Sequence, residues 1–174
     1  MPTQSNPAIV PGSGRILGRD GGEHPSKAAA KPSLMLKRRL NTSPANAYSA
    51  WTDPAKIMRW WGPENCAVYH AEADVRIGGR YRVIMRDDAN EDHDVSGVYR
   101  EIVPDEKLVF TWAWRSTPER ESLVTVLLRP DGNGTMLTLI HEQFFDEAAR
   151  DGHQHGWSGS LDKLERDFAD NPKT

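Results

Sequence analysis

Apolar and polar residues alternate with a period of two along most of this chain and shift to a helical period only near its end. Leu34-Met35-Leu36-Lys37-Arg38-Arg39-Leu40 reads as a half-buried strand, apolar and basic by turns after Leu36. Asn41-Thr42-Ser43-Pro44 follows with capping side chains and a proline suited to the first helical position. A short helix over 45–51 is therefore predicted, with Ala47, Tyr48 and Trp51 on one face. Thr52-Asp53-Pro54 repeats the signal and opens a second short helix through Ile57, Met58 and Trp61, which Gly62-Pro63 ends.

Strands fill the middle. Residues 67–77 run into a turn at Gly78-Gly79, and residues 80–86 then alternate cleanly. Residues 87–94 read as a polar, acidic loop. Two further strands, 95–103 and 107–115, flank the tight turn Pro104-Asp105-Glu106. A last hairpin pairs 122–129 with 135–142 around Pro130-Asp131-Gly132-Asn133-Gly134. Six or seven strands joined by short turns imply one antiparallel meander.

Near the end, Trp157, Leu161, Leu164 and Phe168 recur at helical steps and share a face, with Asp162, Lys163, Glu165, Arg166 and Asp167 mostly outward. A curved sheet must cover its apolar face, and this long helix is the only element large enough. The expected class is α+β: a curved antiparallel sheet wrapped around a long C-terminal helix, with two short helices after the first strand.

Composition narrows the class. At 174 residues, 27% charged and a net charge of -3, the chain suits one soluble globular domain. It is not collagen-like, disulfide-built or wholly disordered. The mild acidity gives no support for nucleic-acid binding. No apolar run approaches the ~20 residues of a membrane span, so no membrane insertion is expected. Cys66 is the single cysteine, which excludes an intrachain disulfide and zinc sites built on paired cysteines; it reads as a small buried hydrophobe.

Residues 1–33 differ from the rest. They hold no aromatic residue and are expected to be a disordered tail of net charge +2, leaving -5 for a domain over 34–171. No charged stretch followed by an apolar one marks a secretory signal, and the cytoplasm is the expected location.

Six tryptophans outnumber the four tyrosines and four phenylalanines. Trp51, Trp60 and Trp61 fall on the short helices, whereas Trp112, Trp114 and Trp157 fall where sheet and long helix face each other. Such residues serve as core, pocket wall or interface anchor.

Several strings occur in an order that resembles the START-like (SRPBCC) superfamily and its helix-grip fold. They are Trp60-Trp61-Gly62-Pro63, Asp74-Val75-Arg76-Ile77-Gly78-Gly79 and Gly97-Val98-Tyr99-Arg100-Glu101-Ile102-Val103-Pro104. Leu108-Val109-Phe110-Thr111-Trp112, then Thr135-Met136-Leu137-Thr138-Leu139-Ile140-His141-Glu142, and finally Gly156-Trp157 with Leu161 and Leu164 complete them. More narrowly, residues 34–170 are similar to the AHSA1-like family, the activators of Hsp90 ATPase and their homologues. The resemblance implies a space between sheet and helix that binds small apolar or amphipathic molecules, lipids among them, or hosts cyclase and hydrolase chemistry. It also implies a possible chaperone partner, since the eukaryotic namesake stimulates a chaperone ATPase. That namesake engages its client through a separate N-terminal domain, for which a 33-residue low-complexity tail is no substitute.

Alternation assigns the face toward the helix. Tyr81, Val83 and Met85, then Phe110, Trp112 and Trp114, then Val126, Leu139 and His141 turn inward beneath Trp157 and Leu161, with Trp61 and Tyr99 nearby. These thirteen residues are the candidate wall of a ligand cavity, and they are equally what a filled core requires. His141 reads as a core histidine satisfied by a neighbour or as an acid, base or ligand-orienting donor. His153 and His155 lie two residues apart on a helix and diverge, so they do not share an ion. The acidic loop lacks the glycine and glutamate of a calcium loop. No metal or other cofactor is expected. Gly152, Gly156 and Gly159 within a helix cost ~1 kcal/mol each relative to alanine, which close helix–sheet approach or a gating role would explain. Three function classes follow: a small-molecule binding protein, a chaperone-acting module, and a cyclase or dehydratase using His141 or a tyrosine.

Overall fold

A computed structural model of the chain describes residues 30–170. The expectations for the N-terminal tail fall almost wholly outside them. The elements are β1 (Leu34–Leu40), α1 (Pro44–Thr52), α2 (Pro54–Trp60), β2 (Cys66–Ala73), β3 (Arg80–Asp87) and β4 (Asp92–Val103). They continue with β5 (Lys107–Trp114), β6 (Ser122–Asp131), β7 (Gly134–Glu142) and α3 (Glu147–Asp170).

Both short helices start where the caps place them. The Ser43 hydroxyl accepts the Asn46 N–H at 3.2 Å, and the Asp53 carboxylate accepts the Ala55 N–H at 3.0 Å. The strands form one seven-stranded antiparallel sheet in the order β1-β7-β6-β5-β4-β3-β2. Strands β2 to β7 are the expected meander, and β1 adds to its far edge by pairing Leu36 with Leu139.

The sheet curls around α3 because one face is apolar along every strand. Val83 and Met85 on β3, Leu108, Phe110 and Trp112 on β5, Val124 and Val126 on β6, and Leu137 and Leu139 on β7 are all buried. From α3, Trp157, Leu161, Leu164 and Phe168 meet them. Each such side chain contributes about 1.5–3 kcal/mol of transfer free energy. Gly97 on β4 allows the tightest approach: a Cβ there would overlap the Thr111 carbonyl and the Tyr81 ring. Tyr81 donates its hydroxyl to that same carbonyl at 2.5 Å.

Ion pairs fix the helix across the sheet. Arg38 of β1 reaches Asp162 and Glu165, each at 3.3 Å, and Arg59 of α2 reaches Asp167 at 3.0 Å. Lys163 donates to the carbonyls of Trp61, Pro63 and Cys66 at 3.3–3.5 Å, stapling α3 to the loop after α2.

Three local expectations are corrected. Strand β2 stops at Ala73 rather than at Ile77, because the backbone turns: Arg76 N–H donates to the Asp74 carbonyl at 2.9 Å, Gly79 N–H to the Arg76 carbonyl at 2.8 Å, and Gly78 takes φ 82°. The acidic segment forms a shorter loop than 87–94, since β3 runs to Asp87 and β4 begins at Asp92. Asp87 shortens it by accepting the N–H groups of Ala89 and Glu91, both at 2.9 Å. Helix α2 ends at Trp60; Trp61 is its extended C-cap, and Met58 is exposed.

Candidate functional site

A cavity of about 450 Å³ lies between the β2–β5 part of the sheet, the first half of α3 and the loop after α2. That volume falls within the range that holds a small organic ligand. Its sheet wall is Cys66, Met85, Asp87, His93, Trp112 and Trp114. Helix α3 contributes Ala148, Ala149, Gly152, His153, Gly156, Trp157 and Ser160, and the loop contributes Trp61, Gly62, Pro63 and Asn65.

The thirteen sequence-derived candidates divide into two groups. Trp61, Met85, Trp112, Trp114 and Trp157 line the cavity. Tyr81, Val83, Tyr99, Phe110, Val126, Leu139, His141 and Leu161 are buried in the packed core and do not reach its wall. A shared face fixes which side of the sheet a residue occupies. It does not fix how far along the helix the packing remains closed.

The tryptophans form one connected aromatic system. Trp61 stacks on Trp112 with ring centroids 5.7 Å apart and 18° between planes. Trp112 in turn contacts Trp157 at 5.1 Å and Trp114 at 5.4 Å. Trp51 joins the group through Trp60 at 4.6 Å and Trp157 at 5.8 Å. The helix tryptophans and the sheet tryptophans are therefore a single cluster, bridged by Trp61 and Trp157.

Two histidines hold two of these indoles. The indole N–H of Trp157 donates to His141 Nδ1 at 3.0 Å, so the imidazole proton sits on Nε2 and faces the Ser122 hydroxyl at 2.7 Å. Ser122 passes the chain on to the Trp112 carbonyl at 3.4 Å. Burial, and secondarily the nearby His153, hold the His141 pKa well below its ordinary value. His141 is thus a satisfied, neutral core residue with both ring nitrogens engaged. His153 repeats the device at the cavity wall: Nε2 accepts the Trp114 N–H at 2.9 Å, and Nδ1 donates to the Ala149 carbonyl at 2.6 Å. Burial lowers its pKa too.

At the rim, Asp87 and His93 form a pair, Oδ2 to Nε2 at 2.8 Å. The His93 hydrogen bond, aided by backbone N–H donors, keeps the Asp87 carboxyl below its ordinary range. Glu91 joins them, the three groups lying within 4.8 Å of one another. Both Asp87 oxygens are engaged inside the hairpin, which accounts for the cluster on structural grounds. The Cys66 thiol is pushed up by burial and then by Asp87, and so stays protonated.

The helical glycines correct a sequence expectation. A Cβ at Gly152 or Gly156 would meet nothing within 4 Å, so neither serves close helix–sheet approach. Gly159 does pack closely, its Cβ position lying 3.3 Å from Pro63 Cα. Sequence reasoning left Asp87, His93 and His153 outside the site, although a signal existed. Continuing the β3 alternation past Met85 gives Asp87, and counting back from Trp157 in steps of four gives His153 and then Ala149.

Comparison with known proteins agrees with this geometry. Residues 41–169 match the family described as activator of Hsp90 ATPase homolog 1-like protein. The human and mouse proteins named activator of 90 kDa heat shock protein ATPase homolog 1 are each 24% identical over 143 residues. That alignment covers 76% of this chain and 38% of theirs, so the chain spans well under half the length of these relatives. Among solved structures, a Chromobacterium violaceum protein is 28% identical with a TM-score of 0.70, covering 78% of this chain and 96% of its own. An AHSA1 protein of Silicibacter pomeroyi is 29% identical with a TM-score of 0.70, over 79% and 98%. Among the described residues no helix is long and apolar enough to cross a membrane. The fold is the helix-grip fold, and the chain belongs to the activator of Hsp90 ATPase homolog 1-like family.

Proposed function

We propose that this chain binds one small amphipathic molecule, its apolar body held between Trp61, Trp112, Trp114 and Trp157. The observation that carries the reading is the open space before Gly152 and Gly156. Glycine inside a helix costs about 1 kcal/mol relative to alanine, and packing gives no return for it at these two positions. A cavity kept clear for a ligand accounts for both. Catalysis by His141 is not part of the reading, since both of its nitrogens are hydrogen-bonded within the core.

The test is a titration with N-phenylnaphthylamine, a neutral apolar probe, followed by quenching of tryptophan fluorescence. Saturable quenching in the native chain, lost in Gly156→Leu with the circular dichroism spectrum unchanged, supports the reading. Binding unaffected by Gly156→Leu overturns it.

Family membership favours a second reading, a co-chaperone role. The human and mouse relatives are named as activators of the 90 kDa heat shock protein ATPase. The measurement is the ATPase rate of an Hsp90 with and without this chain. A rate unchanged by excess chain rules the role out.

A further inference from the structure

The cavity is one-sided in its chemistry. Among its lining residues Asp87 is the one carboxylate, and lysine and arginine are absent. Most groups that would hold an anion are engaged elsewhere, the buried indole N–H of Trp112 being the donor without an acceptor. The indole N–H groups of Trp114 and Trp157 donate to His153 and His141. The second nitrogen of His153 faces the Ala149 carbonyl, and the Ser160 hydroxyl donates to Gly156 O at 2.9 Å. The start of α3, whose free N–H groups would otherwise attract negative charge, is capped by Asp146 on the Ala149 N–H at 2.8 Å. Asn65 offers amide donors at the exposed rim, but they carry no charge.

A cation meets the opposite situation. Oδ2 of Asp87 accepts only from His93, which leaves it a free lone pair. Trp114 lies beside this pair, its ring 6.3 Å from that of His93. Indole faces are the strongest aromatic partners for an ammonium group, and more so in a desolvated site. The segments bordering the mouth add Asp88 and Glu91 on the hairpin, and Glu147 on α3. Arg150, the nearby base on that helix, is paired with Asp151 at 2.8 Å.

From these placements, and resting on the ligand-binding reading above, we infer that the cavity selects cationic amphiphiles. Its ligand class is an apolar or aromatic body ending in a protonated amine or quaternary ammonium, seated beside Asp87 and the Trp114 face. Fatty acids and other carboxylate-headed lipids are disfavoured, because the site presents them with a carboxylate and few free donors.

Three probes sharing one apolar body test this in calorimetric titrations with the full chain: phenylbutylamine, phenylbutanol and phenylbutyrate. At about pH 8 the amine is charged. The amine is expected to bind about tenfold or more tightly than the carboxylate, with the alcohol between them. In Asp87→Asn, which keeps the acceptor for the Ala89 and Glu91 N–H groups, the amine should fall to the level of the alcohol while the alcohol itself is unchanged. Equal binding of amine and carboxylate, or an amine preference that survives Asp87→Asn, overturns the cation selectivity and leaves the cavity reading standing. Binding of none of the three at millimolar concentration overturns both.

Discussion

Trp157 donates its indole N–H to His141 Nδ1 across 3.0 Å, tying the long helix to strand β7. An imidazolium would carry a proton on that nitrogen and set donor against donor. The bond therefore forbids protonation of the folded protein at His141, in the same direction as burial does.

A pH dependence follows. The folded His141 pKa lies well below its ordinary value of 6.5, so on acidification the unfolded chain takes up this proton first. Stability is fully present above about pH 6.5 and falls as pH drops from there toward the folded value, by up to about 1.4 kcal/mol per pH unit. His153, also lowered, acts in the same direction. Urea denaturation between about pH 7.5 and about pH 5.5 should show the midpoint falling, and His141→Gln should show a shallower slope. A midpoint independent of pH in that window refutes the assignment.

Replacing His141 itself leaves the buried Trp157 N–H unpartnered and takes its donor from the Ser122 hydroxyl, which keeps only its 3.4 Å bond to the Trp112 carbonyl. His141→Leu should cost about 2–4 kcal/mol, and His141→Leu with Ser122→Ala should recover about 1 kcal/mol. Chemical denaturation of the two variants checks the difference. A double variant no more stable than the single one contradicts the linked chain.

Gly156→Ala separates folding from binding. Its new Cβ enters open space, so the gain in helix propensity is unopposed and stability should rise by up to about 1 kcal/mol. The same methyl narrows the cavity and should weaken N-phenylnaphthylamine binding. A thermal melt and a fluorescence titration read the two effects, and a variant that is less stable than the native chain refutes the open-space geometry.

Gly97→Ala is the contrasting case. Its Cβ would overlap the backbone of Thr111 and the ring of Tyr81, where neither neighbour is a flexible chain end. The strands must separate locally, at a cost of more than about 3 kcal/mol. A soluble, fully folded Gly97→Ala chain at 37 °C-type assay temperatures, with its urea midpoint unmoved, contradicts this packing.

Much of the fold was legible from pattern alone. Ser43 and Asp53 each stand before a proline, and cap and ring geometry act within a few residues of chain. The alternation from Tyr81 to Met85 likewise names a buried face without knowledge of any partner. Where the chain turned back on itself, the pattern misled. A backbone turn at Asp74–Gly79 ended β2 early, and half of an apparent loop over 87–94 belonged to the sheet, its turn closed by Asp87.

The sequence by itself determined the order of elements and the face each residue presents, because backbone periodicity and local capping are short-range. Only the tertiary structure decided which inward residues pack solidly and which border a void. That outcome depends on how α3 crosses the curled sheet and how the loop stapled by Lys163 closes over it. Tyr99 and Trp112 share the apolar face, yet one lies in the closed core and the other on the cavity wall. Asp87, His93 and His153, more than fifty residues apart in part, meet there for the same long-range reason.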